Sequence, residues 1–146
     1  MTERRALDTT RGCFGCGREN AAGLGLKPET DGVCVSARLV VSPAHRGFRG
    51  IAHGGILMTA LDEMLAYAIG SKLVAPMVTI AVEVTFHAPV RVGDEVEVVA
   101  WSTGRRGKHH FGRAEVRARD GTVHAAARGR FVVLPEKARA RFVEGA

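Results

Sequence analysis

Residues 51–70 read Ile51-Ala52-His53-Gly54-Gly55-Ile56-Leu57-Met58-Thr59-Ala60-Leu61-Asp62-Glu63-Met64-Leu65-Ala66-Tyr67-Ala68-Ile69-Gly70. Ile56, Leu57, Ala60, Leu61, Met64, Leu65, Ala68 and Ile69 recur at helical spacing on a wide face. Ala66 and Tyr67 make the other side largely apolar as well, so the spacing predicts a helix that the rest of the fold nearly encloses. Gly70, with Lys72 nearby and Pro76 beyond, predicts its end. The stretch does not read as a membrane span, because Asp62 and Glu63 sit in its middle, where a bilayer centre penalises both heavily.

Outward from this helix the period changes from helical to alternating. Before it, Val33, Val35, Ala37, Leu39 and Val41 recur at every second position and Ser42-Pro43 closes the segment, which predicts a half-buried strand. After it, Val78, Ile80, Val82, Val84 and Phe86 alternate with polar or small residues. Three further strand-like segments follow at about 95–103, 109–119 and 122–134. Asp120-Gly121 suits a hairpin turn, which needs positive φ, and residues 104–107 are expected to turn the preceding pair. One strand, one long buried helix and an antiparallel meander predict an α+β domain with the helix packed on one sheet. The open edge of such a sheet predicts pairing of two subunits.

The chain has 146 residues, enough for one core. Residues 1–30 are read as an N-terminal leader carrying Cys13-x-x-Cys16, residues 31–136 as the domain and residues 137–146 as a polar tail. Residues 1–12 and the tail are expected to fray. The N-terminus has no apolar core of a secretory signal, and three cysteines fit reduced thiols, so a cytoplasmic location is expected. A formal charge of +6 favours anionic partners. Nucleic acid is not among those expected, because aromatics interleaved with basic residues are lacking and Trp101 reads as sheet packing.

Asp62 and Glu63 stand about 100° apart in helical projection, so they cannot share one contact. They are either ion-pairing groups at an interface or one of them is chemical. Gly54-Gly55 favours the second reading, because unpaired N–H groups and the positive dipole end at a helix start attract an anionic oxygen. A thioester carbonyl polarised there is open to attack by a carboxylate, or by water that a carboxylate activates.

Gly50-Ile51-Ala52-His53-Gly54-Gly55-Ile56-Leu57, Leu61-Asp62-Glu63, Val78-Thr79, Thr85-Phe86-His87-Ala88-Pro89 and Val92-Gly93-Asp94 together resemble the hotdog-fold acyl-CoA thioesterases of the phenylacetate-degradation type. The resemblance implies an antiparallel sheet wrapped around one long helix, and hydrolysis of an acyl-CoA to free acid and CoA by a homodimer or homotetramer without a cofactor. It places the catalytic acid nine residues after the motif histidine, which here is Asp62 rather than Glu63, acting as nucleophile or general base. It assigns an oxyanion-hole N–H to Gly54 and a loop-shaping role to His53. Thr79 matches a serine position that acts from the partner subunit. An amide side chain present in some relatives is replaced by Gly47, for which His45 or Arg46 would have to substitute.

Gly55, His45 and Glu63 are further candidate substrate contacts. Arg106 and Lys108, in the basic run 105–110, either form a solvated turn or meet the phosphates of CoA. Cys13-x-x-Cys16 is half of a zinc motif or a redox pair by spacing, but without a second paired motif the thiols are expected to pack against the sheet, and no metal is expected. The same fold also serves non-catalytic acyl-CoA-binding modules and hydratases. The hydratase arrangement of acid and histidine differs, which leaves the binding module as the alternative to hydrolysis.

Overall fold

The computed structural model describes residues 3–73 and 76–143. They form β1 (Arg5–Ala6), β2 (Glu29–Thr30), β3 (Cys34–Val40), a 3-10 turn at Pro43–His45, α1 (Gly54–Leu73), β4 (Met77–Phe86), β5 (Glu95–Arg106), β6 (His109–Arg117), β7 (Val123–Val133) and α2 (Glu136–Val143). The strands make one antiparallel sheet in the order β1-β2-β3-β5-β6-β7-β4. β3 and β4 are thus separated by three strands, and α1 bridges them across the face of the sheet.

The sheet is built to receive the helix. Ala100, Ala114 and Ala127 lie opposite one another on β5, β6 and β7 and are all buried, giving a row of methyl groups beneath α1. In the next row Gly112 of β6 pairs with Gly129 of β7. A Cβ at Gly112 would lie 3.0 Å from Leu65 Cδ2, and one at Gly129 would lie 2.8 Å from Leu65 Cδ1 and 2.7 Å from the Phe131 ring. The paired glycines therefore leave a notch that the Leu65 side chain fills. Leu57, Ala60, Leu61, Met64, Leu65, Ala68 and Ile69 are all buried on this floor. Burying each large apolar side chain contributes about 1.5–3 kcal/mol relative to leaving it exposed.

The structure departs from the sequence expectations in four places. Gly70 does not end α1, which runs to Leu73, because a glycine inside a well-packed helix lowers its stability without stopping it. The β5–β6 turn is tighter than residues 104–107. Gly107 (φ 59°) and Lys108 make the turn, while Gly104 (φ 138°) sits at a register shift within β5. Residues 5–6 pair with β2 instead of fraying. The polar tail forms α2 as far as residue 143, and residues 144–146 lie outside the described residues.

Filling the notch tests the role of Leu65. Gly129→Ala adds a methyl where the fully buried Leu65 and Phe131 have no free space to retreat into, and should cost about 1–3 kcal/mol. A lower urea midpoint at unchanged m-value is the expected result. An unshifted midpoint would mean that Leu65 repacks freely.

Candidate active site

The start of α1 is fixed by a histidine. His53 precedes the first helical residue, its Nδ1 accepts the Gly55 N–H at 2.9 Å, and its carbonyl accepts the Ile56 N–H at 2.9 Å. It therefore caps the helix, the position usually held by Ser, Thr, Asp or Asn. An Nδ1 that accepts leaves a neutral imidazole with its proton on Nε2. Among the described residues the Gly54 N–H has no acceptor, so it remains an unsatisfied donor at the positive end of the helix dipole. The Phe86 ring lies beside it, 3.4 Å from where a Gly54 Cβ would stand.

Asp62 is half-buried two turns further along α1. Its Oδ1 accepts the Thr79 hydroxyl at 2.8 Å, within the same chain, leaving Oδ2 unengaged among the described residues. Thr79 sits where β4 shifts register between Thr79 and Ala81, and such bulges re-aim side chains at functional positions. Thr79 and Asp62 are thus in direct contact within one protomer.

Asp62 and Gly54 do not come together within a chain. Eight residues of helix separate them, about 12 Å of rise. One thioester carbonyl cannot touch both, because proton transfer and oxyanion contacts need heavy atoms about 2.6–3.2 Å apart.

Glu63, adjacent to Asp62, faces a different neighbour. Cys13 Sγ donates to its Oε1 at 3.3 Å, and a Cβ at Gly15 would lie 2.6 Å from its Cδ. The projected divergence of the two acids is therefore realised, with Asp62 against β4 and Glu63 against the leader. Neither carboxylate has an ion-pair partner among the described residues.

His45 is held away from the carboxylate. Its Nε2 lies 2.8 Å from the Ala22 carbonyl oxygen, its ring packs edge-on against Phe14, and its backbone carbonyl accepts the His53 N–H at 3.0 Å. It braces the loop beneath the helix start. At Gly47 an added Cβ would approach His53 Cα to 3.0 Å, so this position has little room for the amide side chain it lacks. Arg106 and Lys108 stand exposed at the β5–β6 turn. Arg106 is in register with His109, Val132 and Val78, so the basic turn lies three strands from the β4 edge that carries Thr79.

Met64 and Leu65 are wholly buried in the core, while Met58 and Phe86 are exposed. A cleft of about 470 Å³ lies between the leader and the C-terminal half of α1, bordered by Leu7, Asp8, Glu63, Tyr67 and Met77. Asp62, Thr79 and Gly54 do not line it. Near this cleft the Tyr67 hydroxyl is 2.9 Å from the Asp8 carbonyl oxygen and 3.2 Å from Cys16 Sγ. Burial pushes the Cys16 thiol up to about 12, with the Tyr67 hydroxyl pulling the other way and Glu63 adding to the rise. Tyr67 is likewise pushed up, first by burial and then by Cys16. A thiol held protonated in this way is a poor nucleophile.

Residues 49–125, more than half of the chain, match the thioesterase superfamily. The chain belongs to this family. An uncharacterized acyl-CoA thioester hydrolase of Zymomonas mobilis is 39% identical over 64 residues, which are 43% of this chain and 43% of that protein. The match thus spans less than half the length of this curated relative. Among solved structures, a thioesterase superfamily protein, RHA08564, superposes with a TM-score of 0.77 at 22% identity, covering 84% of this chain and 60% of that one. The Escherichia coli PaaI protein from the phenylacetic acid degradation operon superposes with a TM-score of 0.70 at 20% identity, covering 77% and 81%. These likenesses show the hotdog fold, one long helix wrapped by an antiparallel sheet. No helix of the described residues is long and apolar enough to cross a membrane.

The cap assigned to His53 has a measurable cost. His53→Ala should lose about 1 kcal/mol of stability, and His53→Asn, which can still accept from a backbone N–H, should recover most of it. Urea unfolding of the three proteins checks this. Equal midpoints would show that the imidazole does not cap α1.

Proposed function

We propose that this member of the thioesterase superfamily hydrolyses an acyl-CoA thioester at a site shared by two protomers. The observation that carries the reading is the pair of groups on α1 that are chemically complementary but too far apart to act together. Asp62 is a half-buried carboxylate held by Thr79, and Gly54 offers an unsatisfied N–H. Each needs the other from a second copy.

The sheet edge suggests how. β4 has a free edge carrying exposed apolar side chains, with Ile80 46% and Phe86 48% exposed. Antiparallel pairing of this edge with its own copy, about a two-fold axis near Val82 and Glu83, sets the Phe86 end of one protomer opposite the Thr79 end of the other. Phe86 lies beside Gly54 and Thr79 lies beside Asp62. One pairing would therefore assemble two sites.

In such a site the Gly54 N–H receives the thioester oxygen as it gains negative charge. Asp62 of the other protomer either takes a proton from water, whose oxygen then bonds to the carbonyl carbon, or attacks that carbon itself, water releasing the acid afterwards. The C–S bond breaks, and CoA leaves as a thiolate that takes up a proton. Thr79 fixes one carboxylate oxygen and leaves the other free. Arg106 and Lys108 are candidates for the CoA phosphates. The name of the Zymomonas relative is consistent with this substrate class.

Gly47, where some relatives carry an amide, favours a second reading, an acyl-CoA-binding module without turnover. One assay separates the two. Purified protein should release CoA thiol from at least one member of a panel of aliphatic and aryl acyl-CoAs, and Asp62→Asn should lower kcat by about 100-fold or more. Equal activity in both proteins, or none with any substrate, would remove the catalytic assignment.

The shared site makes assembly and turnover inseparable. Sedimentation should give at least twice the 15.6 kDa chain mass. Ile80→Lys, which puts a charge on the pairing edge, should shift the protein toward monomer and abolish turnover together. A monomer that retains turnover would refute the shared site.

A further inference from the structure

The leader carries a constellation that hydrolysis does not use. The two sulfurs of Cys13 and Cys16 and a carboxylate oxygen of Glu63 all lie within 4.8 Å of one another, although Glu63 is 50 residues from Cys13 in sequence. Tetrahedral zinc holds sulfur at about 2.3 Å and carboxylate oxygen at about 2.0–2.2 Å, so its ligand atoms stand about 3.5–3.8 Å apart. The three donors are therefore within a small contraction of that geometry. Cys16 is buried while Cys13 and Glu63 are half-buried, so the cluster lies at the margin of the core within reach of solvent.

The surrounding backbone is shaped to bring these donors together. The Gly17 N–H donates to the Cys13 carbonyl at 2.8 Å, folding the Cys-x-x-Cys segment into a tight turn. A Cβ at Gly17 would come within 2.5 Å of both the backbone N and O of Cys13, and a Cβ at Gly15 would lie 2.6 Å from Glu63 Cδ. Any larger residue at either position opens the turn or pushes the carboxylate away. Thiol packing alone, the expectation from the sequence, does not call for a carboxylate at this spot. A half-buried acid facing two sulfurs, with no basic partner among the described residues, lacks the compensating charge that such a group normally has. A cation satisfies all three groups at once, and thiolates select zinc over magnesium or calcium.

We propose that Cys13, Cys16 and Glu63 form a zinc site that ties the leader to α1, with a solvent molecule as the fourth ligand. The Tyr67 hydroxyl, 3.2 Å from Cys16 Sγ, supports that sulfur from behind. Binding releases the thiol protons to solvent as the zinc–sulfur bonds form. The site sits one residue from Asp62 but requires neither substrate nor turnover.

The full chain, reduced and stripped of metal, is titrated with Zn²⁺ against a chromogenic chelator and separately with Co²⁺. One equivalent of Zn²⁺ per chain, a rise in melting temperature on binding, and a cobalt–thiolate charge-transfer band are the expected results. Cys13→Ser and Glu63→Gln should each weaken Zn²⁺ binding at least about tenfold, since losing even a supporting contact costs about 10–100-fold. Cys34→Ser should leave binding unchanged. Circular dichroism confirms that each variant is folded. Failure of the reduced wild-type chain to bind Zn²⁺ at micromolar concentration, or binding that survives both Cys13→Ser and Glu63→Gln, overturns the proposal.

Discussion

The seating of Leu65 in the notch between Gly112 and Gly129 fixes where α1 lies along the sheet. A helix over a uniformly apolar surface has many nearly equivalent positions, whereas a single filled notch selects one. Asp62 is three residues before Leu65, so its height above the sheet follows from that choice, and the bulge in β4 then delivers the Thr79 hydroxyl to the same height. The row of alanines one step away allows the close approach on which the notch depends. The placement of the carboxylate thus rests on side chains missing from β6 and β7.

The main elements were legible in the sequence because each carries a strong period. Residues 56–69 repeat at helical spacing, and 78–86 alternate cleanly, so α1 and β4 appear where expected. The two-residue strands β1 and β2 have no period to read, which is why the leader looked like a fraying end. Gly70 reads locally as a stop signal, but the surrounding packing carries the helix past it. Gly112 and Gly129 are unremarkable in one dimension and acquire meaning only as cross-strand partners.

Of the candidate site, the resemblance separated Asp62 from Glu63, and helical projection indicated that they face different ways. What each faces was not legible, since Thr79 and Cys13 approach from elements far away in sequence. The same limit hid the Cys13, Cys16 and Glu63 cluster, because a Cys-x-x-Cys without a second paired motif shows two donors and the third belongs to the helix. His53 shows the converse. The resemblance implied only that it shapes the loop, and the hydrogen bond from Gly55 gives it a definite local task.

The sheet is unequal at its two margins. On one side β4 offers ten residues of unpaired backbone, and on the other β1 offers two. Strand addition at β4 therefore has a partner surface of full length, while anything docking at β1 gains almost no ladder. Two copies joined through β4 in the manner proposed would present only the stub outward at either end, where a further strand finds almost no ladder to extend. The short strands of the leader thus leave that margin with little backbone on which a further strand could pair.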